Sequence, residues 1–376
     1  MRAPMASDGG PTRTLLQWGV DKPDEIGGGL NNMIMTITQL INDVCPGGKK
    51  AIATLVLPNL SSGWRFFQAG ELGRRHVRPL QFGEVFDADH FMRSIRPCLA
   101  VVRVPDDRAS FTISPAHLEP ISIKYKYNRM LPAVYRALRP GPAVAGLVAS
   151  YVEQARAGAG PRWSAVHLRI ERDWWKQSGF CHRSPHRCFP PDEVARTIAP
   201  SREAANSTGA VLFYAADNLD PSGPRVRWSD FGVATIKLSS PKNTPYTLRT
   251  ASEFFIAAAA PGGFYGNTYS TFSRGVALLR WAAAQNAQRA TRGRQRGDSL
   301  RLQSLHEPGR LGGGAASFAY DCARLHATAA EWRSLSLGGG VLLKTVDRAQ
   351  CAKPAAKRKR AGRGASGDLS VARLVV

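Results

Sequence analysis

The sequence predicts an α/β protein with two facing Rossmann-like halves, each built around a parallel sheet. Short apolar strands alternate with helices from about residue 14 to residue 284, which is the pattern of parallel sheets covered by helices. The 376 residues are also too many for one compact core. We therefore expect a disordered start, an N-terminal domain, a C-terminal domain and a partly disordered, basic, low-complexity tail, at 1–12, 13–145, 146–288 and 289–376.

The first half begins as a strand, a glycine turn, a helix and a second strand. The apolar residues that follow the glycines recur at helical spacing, and the strand after the helix stops at a proline. The predicted elements are strands at Thr14–Val20, Ala51–Leu57 and Leu99–Val104 and a helix at Asn31–Val44.

The second half repeats the alternation after a linker at Pro140–Pro142 and a helix to about Ala155. The predicted strands are Ser164–Arg169, Ala210–Ala215, Ala234–Leu238 and Phe264–Gly266, and the predicted helices are Pro191–Ile198, 248–260 and Phe272–Ala284. The pattern decays beyond about residue 285. We expect residues from about 290 onward to contribute little to the core.

The charge is strongly basic, at +23. This charge attracts anions such as phosphates, nucleotides or nucleic acids, and does not choose among them. Aromatic residues do not interleave with basic ones in a known nucleic-acid module, so no nucleic-acid partner is expected. The run Lys357–Arg360 is either a solvated stretch or a targeting or nucleic-acid patch. No apolar window reaches the length of a membrane span, and residues 1–29 do not resemble a signal peptide.

The glycine run Gly27–Gly29, followed by Leu30 and Asn31, lies between a predicted strand and a helix. Glycines let a ligand approach the backbone, and a helix N-terminus offers free N–H groups. The alternative is a simple turn, with Asn31 capping the helix.

The run His167 to Trp174 (HLRIERDW) starts as a buried strand and ends in charged residues. Ligands of open α/β sheets bind beyond the carboxyl ends of the strands, so Arg169 is placed to grip a phosphate with two parallel hydrogen bonds. Asp173 could orient Arg169 or touch a sugar. The alternative is an ion pair between Arg169 and a carboxylate.

A third strand-to-helix crossing, Gly266 to Arg274, is rich in hydroxyl groups. Ser270 and Thr271 would stand at a helix N-terminus, where they could bind an anion or simply cap the helix. Three crossings suited to phosphate together favour a nucleotide-dependent transferase.

Two other patterns favour structural roles. Cys181 and Cys188 are near enough to form a disulfide or remain thiols, and their spacing with His182 and His186 fits no standard zinc module. The Asp87-Ala88-Asp89 sequence resembles a metal-binding Asp-x-Asp, but its position favours a helix cap.

The three crossings resemble the GDP-fucose protein O-fucosyltransferase family, including its plant and algal members and its Notch-modifying branch. The resemblance runs from about residue 14 to residue 282 and is carried by GGLNN, FGEVFDADHF, HLRIERDW and GNTYSTFSRGVALLR. It implies a GT-B fold, the secretory pathway, and GDP-fucose as donor. It also implies a protein or glycan acceptor, and inversion at the sugar carbon without an obligatory metal or other cofactor. The alternatives are a related transferase that uses another nucleotide sugar, such as UDP-rhamnose, a basic nucleic-acid-binding protein, and a pseudoenzyme that binds nucleotide without turnover.

By matching position, the resemblance implies that Arg169 and Asn31 are catalytic. It assigns the donor site to Gly28, Gly29, Leu30, His167, Asp173, Asp217, Glu253, Ser270, Thr271 and Phe272. Two positions depart from the family pattern: Gly28 stands where one branch has a Glu base, and Glu253 stands where Asp is usual.

Overall fold

The computed structural model describes the chain in several separate ranges. The described residues are 14–17, 25–44, 53–62, 80–95, 100–102, 112–115, 130–175, 180–183, 188–215, 219, 221–267, 270–295, 317–319 and 344–345. Within them, helices and mainly parallel strands alternate, which confirms the predicted α/β class.

The first half contains a four-stranded parallel sheet in the order β6-β3-β1-β7 and a small three-stranded sheet in the order β2-β4-β5. The strands are β1 (Thr14–Gln17), β2 (Glu25–Gly28), β3 (Ala53–Val56), β4 (Asn59–Ser62), β5 (Leu80–Gln81), β6 (Ala100–Val102) and β7 (Thr112–Pro115). The helices are α1 (Leu30–Val44), α2 (Phe82–Val85), α3 (Ala88–Ile95) and α4 (Leu131–Ala137).

The second half contains a six-stranded parallel sheet in the order β10-β9-β8-β11-β12-β13. Its strands are β8 (Ser164–His167), β9 (Gly209–Phe213), β10 (Ala234–Ile236), β11 (Phe264–Gly266), β12 (Ser317–Ala319) and β13 (Lys344–Thr345). The helices are α5 (Pro142–Ala159), α6 (Arg172–Trp175), α7 (Phe180–Arg183), α8 (Pro191–Ala204), α9 (Tyr246–Ala259) and α10 (Thr271–Gln295), with a 3-10 turn at Trp228–Phe231.

One apolar core runs through both halves. It includes Met33 of α1, Val134 of α4, Phe254 of α9 and Val276 of α10, all buried in the same cluster. The predicted boundary between residues 145 and 146 falls inside α5, and the division into domains stays a prediction.

Two expectations need correction at the glycine run. Gly27 and Gly28 are not part of a loop: they end strand β2, where they pair in parallel register with Ser61 and Ser62 of β4. Asn31 does not cap α1, because the helix begins one residue earlier and the Gly29 carbonyl accepts the first helical hydrogen bond, from the Met33 N–H.

The tail also differs from its prediction. Helix α10 continues to Gln295 rather than ending at residue 284. Strands β12 and β13 come from the predicted low-complexity tail, and β12 pairs with β11 through Phe264 and Ser317. Backbone pairing of this kind needs no apolar periodicity, which is why the sequence pattern did not reveal it.

The Asp87 side chain behaves as predicted. Its Oδ1 accepts a hydrogen bond of 2.8 Å from the backbone N–H of His90, at the start of α3. This is a helix cap, so the resemblance of Asp87-Ala88-Asp89 to a metal-binding motif is explained by local structure.

Candidate active site

The candidate site lies at the carboxyl end of β8, between β9 and β11 in the second sheet. His167 is the last residue of β8, and Arg169 follows two residues later. Because the carboxyl ends of parallel strands share one edge, Asn267 after β11 and Tyr214 after β9 border the same edge. The strand ends two residues earlier than predicted, so Arg169 is in the connection and not in the ladder.

His167 joins this edge to the first turn of α10. Its Nδ1 lies 2.8 Å from Ser273 Oγ, and both residues are buried. Burial, reinforced by the charge of Arg169, holds the pKa of His167 well below its ordinary value. At neutral pH the ring is therefore uncharged and acts as a hydrogen-bonding link between strand and helix.

The first turn of α10 is built around two serines. Ser273 Oγ accepts a 3.0 Å hydrogen bond from the Asn267 N–H. Ser270 Oγ accepts a longer one, 3.5 Å, from the Ser273 N–H at the helix start. Ser270 therefore makes the capping contact that the sequence left open, and this contact directs the N-terminus of α10 toward the end of β8.

Two glycines allow the close packing around this turn. A Cβ at Gly266 would lie 2.6 Å from Ser273 Oγ. A Cβ at Gly275 would lie 2.0 Å from Asn31 Oδ1. Both distances are far shorter than a van der Waals contact, so only glycine at these two positions lets strand, helix and Asn31 approach so closely.

Asn31 brings the first half of the chain to the site. It lies in the first turn of α1, its side chain is 3% exposed, and it packs against Gly275 of α10. Among the described residues, its Oδ1 has no hydrogen-bond partner. A buried amide oxygen without a partner is costly.

Arg169 is held by the segment that follows it. Its Nη1 lies 3.5 Å from Glu171 Oε2, and its guanidinium carbon lies 4.5 Å from the centroid of the Trp174 ring. Its backbone carbonyl accepts a 2.8 Å hydrogen bond from Trp175 Nε1. The Arg169 side chain is still 22% exposed, so it is ordered by its neighbours and reachable by a ligand.

Aromatic rings pack between the site and the apolar core. Phe272 packs on His167 with ring centroids 4.7 Å apart, and on Phe254 of α9 at 6.0 Å. These contacts tie the edge of the sheet to the apolar core.

The structure brings together members of all three predicted stretches. His167 and Ser270 are linked through Ser273, and Asn31 packs against Gly275 of the same helix. Arg169 follows His167 by two residues in the chain. Gly29 is exposed at the start of α1, Leu30 is buried beside it, and Thr271 and Phe272 are half-buried in the first turn of α10.

Three predicted residues remain: Glu253, Asp173 and Asp217. Glu253 is half-buried on α9, and its charge acts on Tyr151 of α5, whose pKa is raised mainly by burial. The side chain of Asp173 and the whole of Asp217 lie outside the described residues. The roles of all the predicted site residues stay predictions.

Four residues of the site were not singled out by the sequence: Glu171, Trp174, Ser273 and Gly275. The alternative of an ion pair at Arg169 was foreseen, and Glu171 supplies it. Ser273 follows Ser270 by three residues, so helical spacing next to the cap was the signal that could have identified it.

Cys181 and Cys188 form a disulfide between α7 and the residues before α8. The thiols are therefore not available as metal ligands in this state. Among the described residues, no three His, Cys, Asp or Glu side chains form a group suited to a metal ion. No described helix combines the length and apolarity needed to cross a membrane.

No protein-family model matches the chain, and no characterised protein sequence matches it. The fold is similar to solved structures of fucosyltransferases. A structure of POFUT1 in complex with GDP-fucose has a TM-score of 0.46 and 11% identity, covering 74% of this chain and 96% of that one. POFUT1 in complex with GDP gives 0.44 and 12%, over 73% and 96%.

NodZ α-1,6-fucosyltransferase, soaked with GDP-fucose, gives a TM-score of 0.36 and 11% identity, over 71% of this chain and 92% of that one. Similarity at this level is too weak to assign an activity. The function of the chain is therefore inferred from the residues of its own site.

Proposed function

We propose that this chain is a glycosyltransferase that moves fucose from GDP-fucose to a hydroxyl group of a protein Ser/Thr or a glycan, with inversion at the sugar carbon. One observation carries the proposal: the stretches that resemble the O-fucosyltransferase motifs, which are far apart in sequence, meet through His167–Ser273 and Asn31–Gly275. The choice of GDP-fucose as donor comes from the resemblance.

Arg169 is the proposed ligand of the donor diphosphate. It stands just beyond the carboxyl end of β8, where open α/β sheets bind ligands. Its guanidinium can bind two phosphate oxygens in parallel, a geometry that a lysine cannot offer. The donor would share the Arg169 guanidinium with Glu171, which keeps its contact with Nη1.

The N-terminus of α10 is proposed to add its partial positive charge to that of Arg169. Free backbone N–H groups and the helix dipole favour an anion there, and Ser270 and Thr271 bring hydroxyl groups to the same turn. When the sugar–phosphate bond breaks, negative charge develops on the GDP leaving group. In the proposed mechanism, Arg169 and the helix N-terminus stabilise this charge with little reorganisation during bond cleavage.

Asn31 is the proposed contact to the reacting groups. Its Oδ1 is covered by Gly275, and we propose that the amide turns to accept a hydrogen bond from the acceptor hydroxyl or from a sugar hydroxyl, and so holds the acceptor in line with the sugar carbon. An amide oxygen is too weakly basic to take the proton fully. We propose that the departing phosphate receives it.

The other candidate bases fit poorly. His167 uses Nδ1 in its bond to Ser273, and its lowered pKa makes it a weak base. Glu171 is engaged with Arg169. Gly28 stands where one branch of the family has glutamate. The proposed mechanism therefore relies on leaving-group stabilisation and positioning rather than on a strong general base.

The first experiment is a binding screen without added metal, using GDP, UDP, GDP-fucose, UDP-rhamnose and a mixed-sequence RNA in a thermal-shift assay. Selective stabilisation by GDP and GDP-fucose is the expected result. Stabilisation by UDP-rhamnose alone would mean that the donor is not GDP-fucose, and stabilisation by RNA alone would refute the transferase proposal. Repetition with Mg²⁺ and with a chelator tests the prediction that no metal is obligatory.

Arg169→Ala gives the sharper test. Loss of one pre-positioned donor at a developing charge costs about 3–4 kcal/mol, or roughly 10²–10³ in turnover. The Arg169→Lys variant keeps the positive charge but loses the two parallel hydrogen bonds of the guanidinium, so we expect it to recover only part of the turnover. Turnover is normalised to folded protein. Near-normal turnover by Arg169→Ala, with lowered stability, would mean that Arg169 is only a structural partner of Glu171.

The cellular compartment is also a proposal. The resemblance implies the secretory pathway, and the Cys181–Cys188 disulfide is of the kind that persists in oxidising compartments. Localisation of the tagged protein, together with mass spectrometry of the two cysteines, would test both points.

A further inference from the structure

The segment from Glu171 to Trp175 surrounds the guanidinium of Arg169. Glu171 contributes a carboxylate, Trp174 a ring face, and Trp175 an indole N–H to the Arg169 carbonyl. The direction of the arginine therefore depends on how firmly this short segment is held.

The segment has little intrinsic stability. Helices α6 and α7 have four residues each, far fewer than an isolated helix needs in water. Tertiary contacts must hold them in place. Trp174 makes such contacts: its side chain packs in one buried cluster with Cys181 and Cys188, and Trp175 packs against the same cluster.

The disulfide is the covalent part of that cluster. It joins two residues seven positions apart, and both sulfur-bearing side chains are buried. A crosslink restricts the conformations open to the connecting chain. Here Trp174 packs against the two crosslinked cysteines themselves, and Trp174 in turn lies under the Arg169 guanidinium.

We propose that Trp174 is a positioning residue for Arg169, and that the Cys181–Cys188 disulfide holds Trp174 in place, so that binding of a nucleoside diphosphate depends on the disulfide. This inference rests on the proposed function for the role of Arg169. It adds that the oxidation state of one disulfide sets the strength of the diphosphate site.

The contact with Trp174 suits a phosphate ligand. The attraction between a cation and a ring face uses the charge of the guanidinium and does not consume its N–H groups. Those N–H groups lie in the guanidinium plane, so the ring face does not occupy them. Trp174 thus limits the orientations of a long, flexible side chain without competing for its hydrogen-bond donors.

Trp174 is tested first. We expect Trp174→Leu to weaken GDP binding by about 3- to 10-fold, the effect of losing one cation–ring contact, and Trp174→Phe to weaken it less, because a ring face remains. Trp228→Leu is the matched control, since Trp228 is 42% exposed on the 3-10 turn. Isothermal titration with GDP gives the affinities, and circular dichroism gives the folded fraction.

A second measurement reports on Arg169 without any ligand. The Nε–Hε cross-peak of Arg169, assigned by its loss in Arg169→Lys, carries the ring-current shift of Trp174. It should move in Trp174→Leu and stay in place in Trp228→Leu. A purely structural role of Trp174 would lower the melting temperature without moving this signal.

The disulfide is tested by a Cys181→Ser/Cys188→Ser variant and by dithiothreitol. The reductant donates two electrons and two protons to the S–S bond, giving two thiols, and becomes a cyclic disulfide. Both treatments should move the Arg169 cross-peak and weaken GDP binding to the extent seen in Trp174→Leu. Combined with Trp174→Leu, the serine changes should add little, because all act through the same contact.

The outcomes separate this inference from the function itself. An Arg169 cross-peak unmoved by loss of the disulfide, or GDP affinity equal to wild type in Trp174→Leu, would overturn the inference. If the wild-type protein bound no GDP while Trp174→Leu still moved the cross-peak, the proposed function would fail, and with it the claim about diphosphate binding. The positioning of Arg169 by Trp174 would then stand as a structural fact.

Discussion

Gly275 offers the most direct test of the site geometry, because a single methyl group measures how closely Asn31 approaches α10. In Gly275→Ala the new Cβ would lie 2.0 Å from Asn31 Oδ1, 2.9 Å from its Cγ and 3.0 Å from Phe254 Cε2. Favourable non-bonded separations are about 3.5–4.0 Å. Asn31 is buried in α1 and Phe254 in the core, so neither can move freely out of the way.

Two opposing terms set the size of the effect. Alanine is favoured over glycine in a helix by about 1 kcal/mol, while overpacking of a buried contact costs about 1–3 kcal/mol. Gly146→Ala isolates the first term, because Gly146 lies on α5 and a methyl group added there would have nothing within 4 Å. We expect the unfolding free energy of Gly275→Ala to fall below that of Gly146→Ala by about 1–3 kcal/mol.

Denaturant unfolding of both variants measures this difference, and donor turnover measures its effect on the site. A shift of the Asn31 side chain by about 1 Å should lower turnover by roughly 10², with Gly146→Ala unaffected. Asn31→Ala should relieve most of the clash, so Gly275→Ala should cost less stability in that background. If Gly275→Ala were as stable as Gly146→Ala, the close approach of α1 and α10 would be refuted.

Two further predictions concern stability. The folded state binds no proton at His167 near neutral pH, whereas the unfolded state does so below about pH 6.5. The unfolding free energy should therefore fall as the pH decreases below 6.5, by at most ~1.4 kcal/mol per pH unit from this group. The His167→Gln variant should show a shallower decline. Equal slopes would contradict the lowered pKa. Deletion of residues 297–376 removes β12 and β13 and leaves β11 at the sheet edge. We therefore expect a melting temperature several degrees lower than after deletion of 357–376 alone. Equal melting temperatures would show that the two strands add nothing to the stability of the fold.

Periodicity and buried runs predicted strands β1, β3, β6 and β8 to β11 and the five longest helices, but not strands β2, β4, β5 and β7 or helix α4. The helix at α1 and the strand Phe264–Gly266 follow their sequence patterns closely. The pattern failed for Gly27 and Gly28, because glycines have no side chains to show the alternation of a strand. It also failed for β12 and β13, which are held by backbone hydrogen bonds to the neighbouring strand. A local sequence pattern carries no information about such pairing partners.

The site itself was predicted only in part. Strand ends and helix starts indicated where Arg169 and Ser270 should lie, because α/β sheets place ligands at that edge. The sequence could not reveal that Ser273 would meet His167, 106 residues away, or that Glu171 would be the carboxylate beside Arg169. Contacts between residues so far apart, and the choice between Glu171 and Asp173, depend on the packing of the complete fold.

The core that continues from α1 and α4 into α9 and α10 has a consequence for how the molecule can move. Pulling the two halves apart would expose the apolar faces of these helices to water, at about 25 cal/mol for each Å². Unfolding should then be a single cooperative event, and neither half is suited to exchange with the corresponding half of another enzyme. A ligand would enter and leave through movements of the connections at the strand ends, while the helices between the halves stay packed.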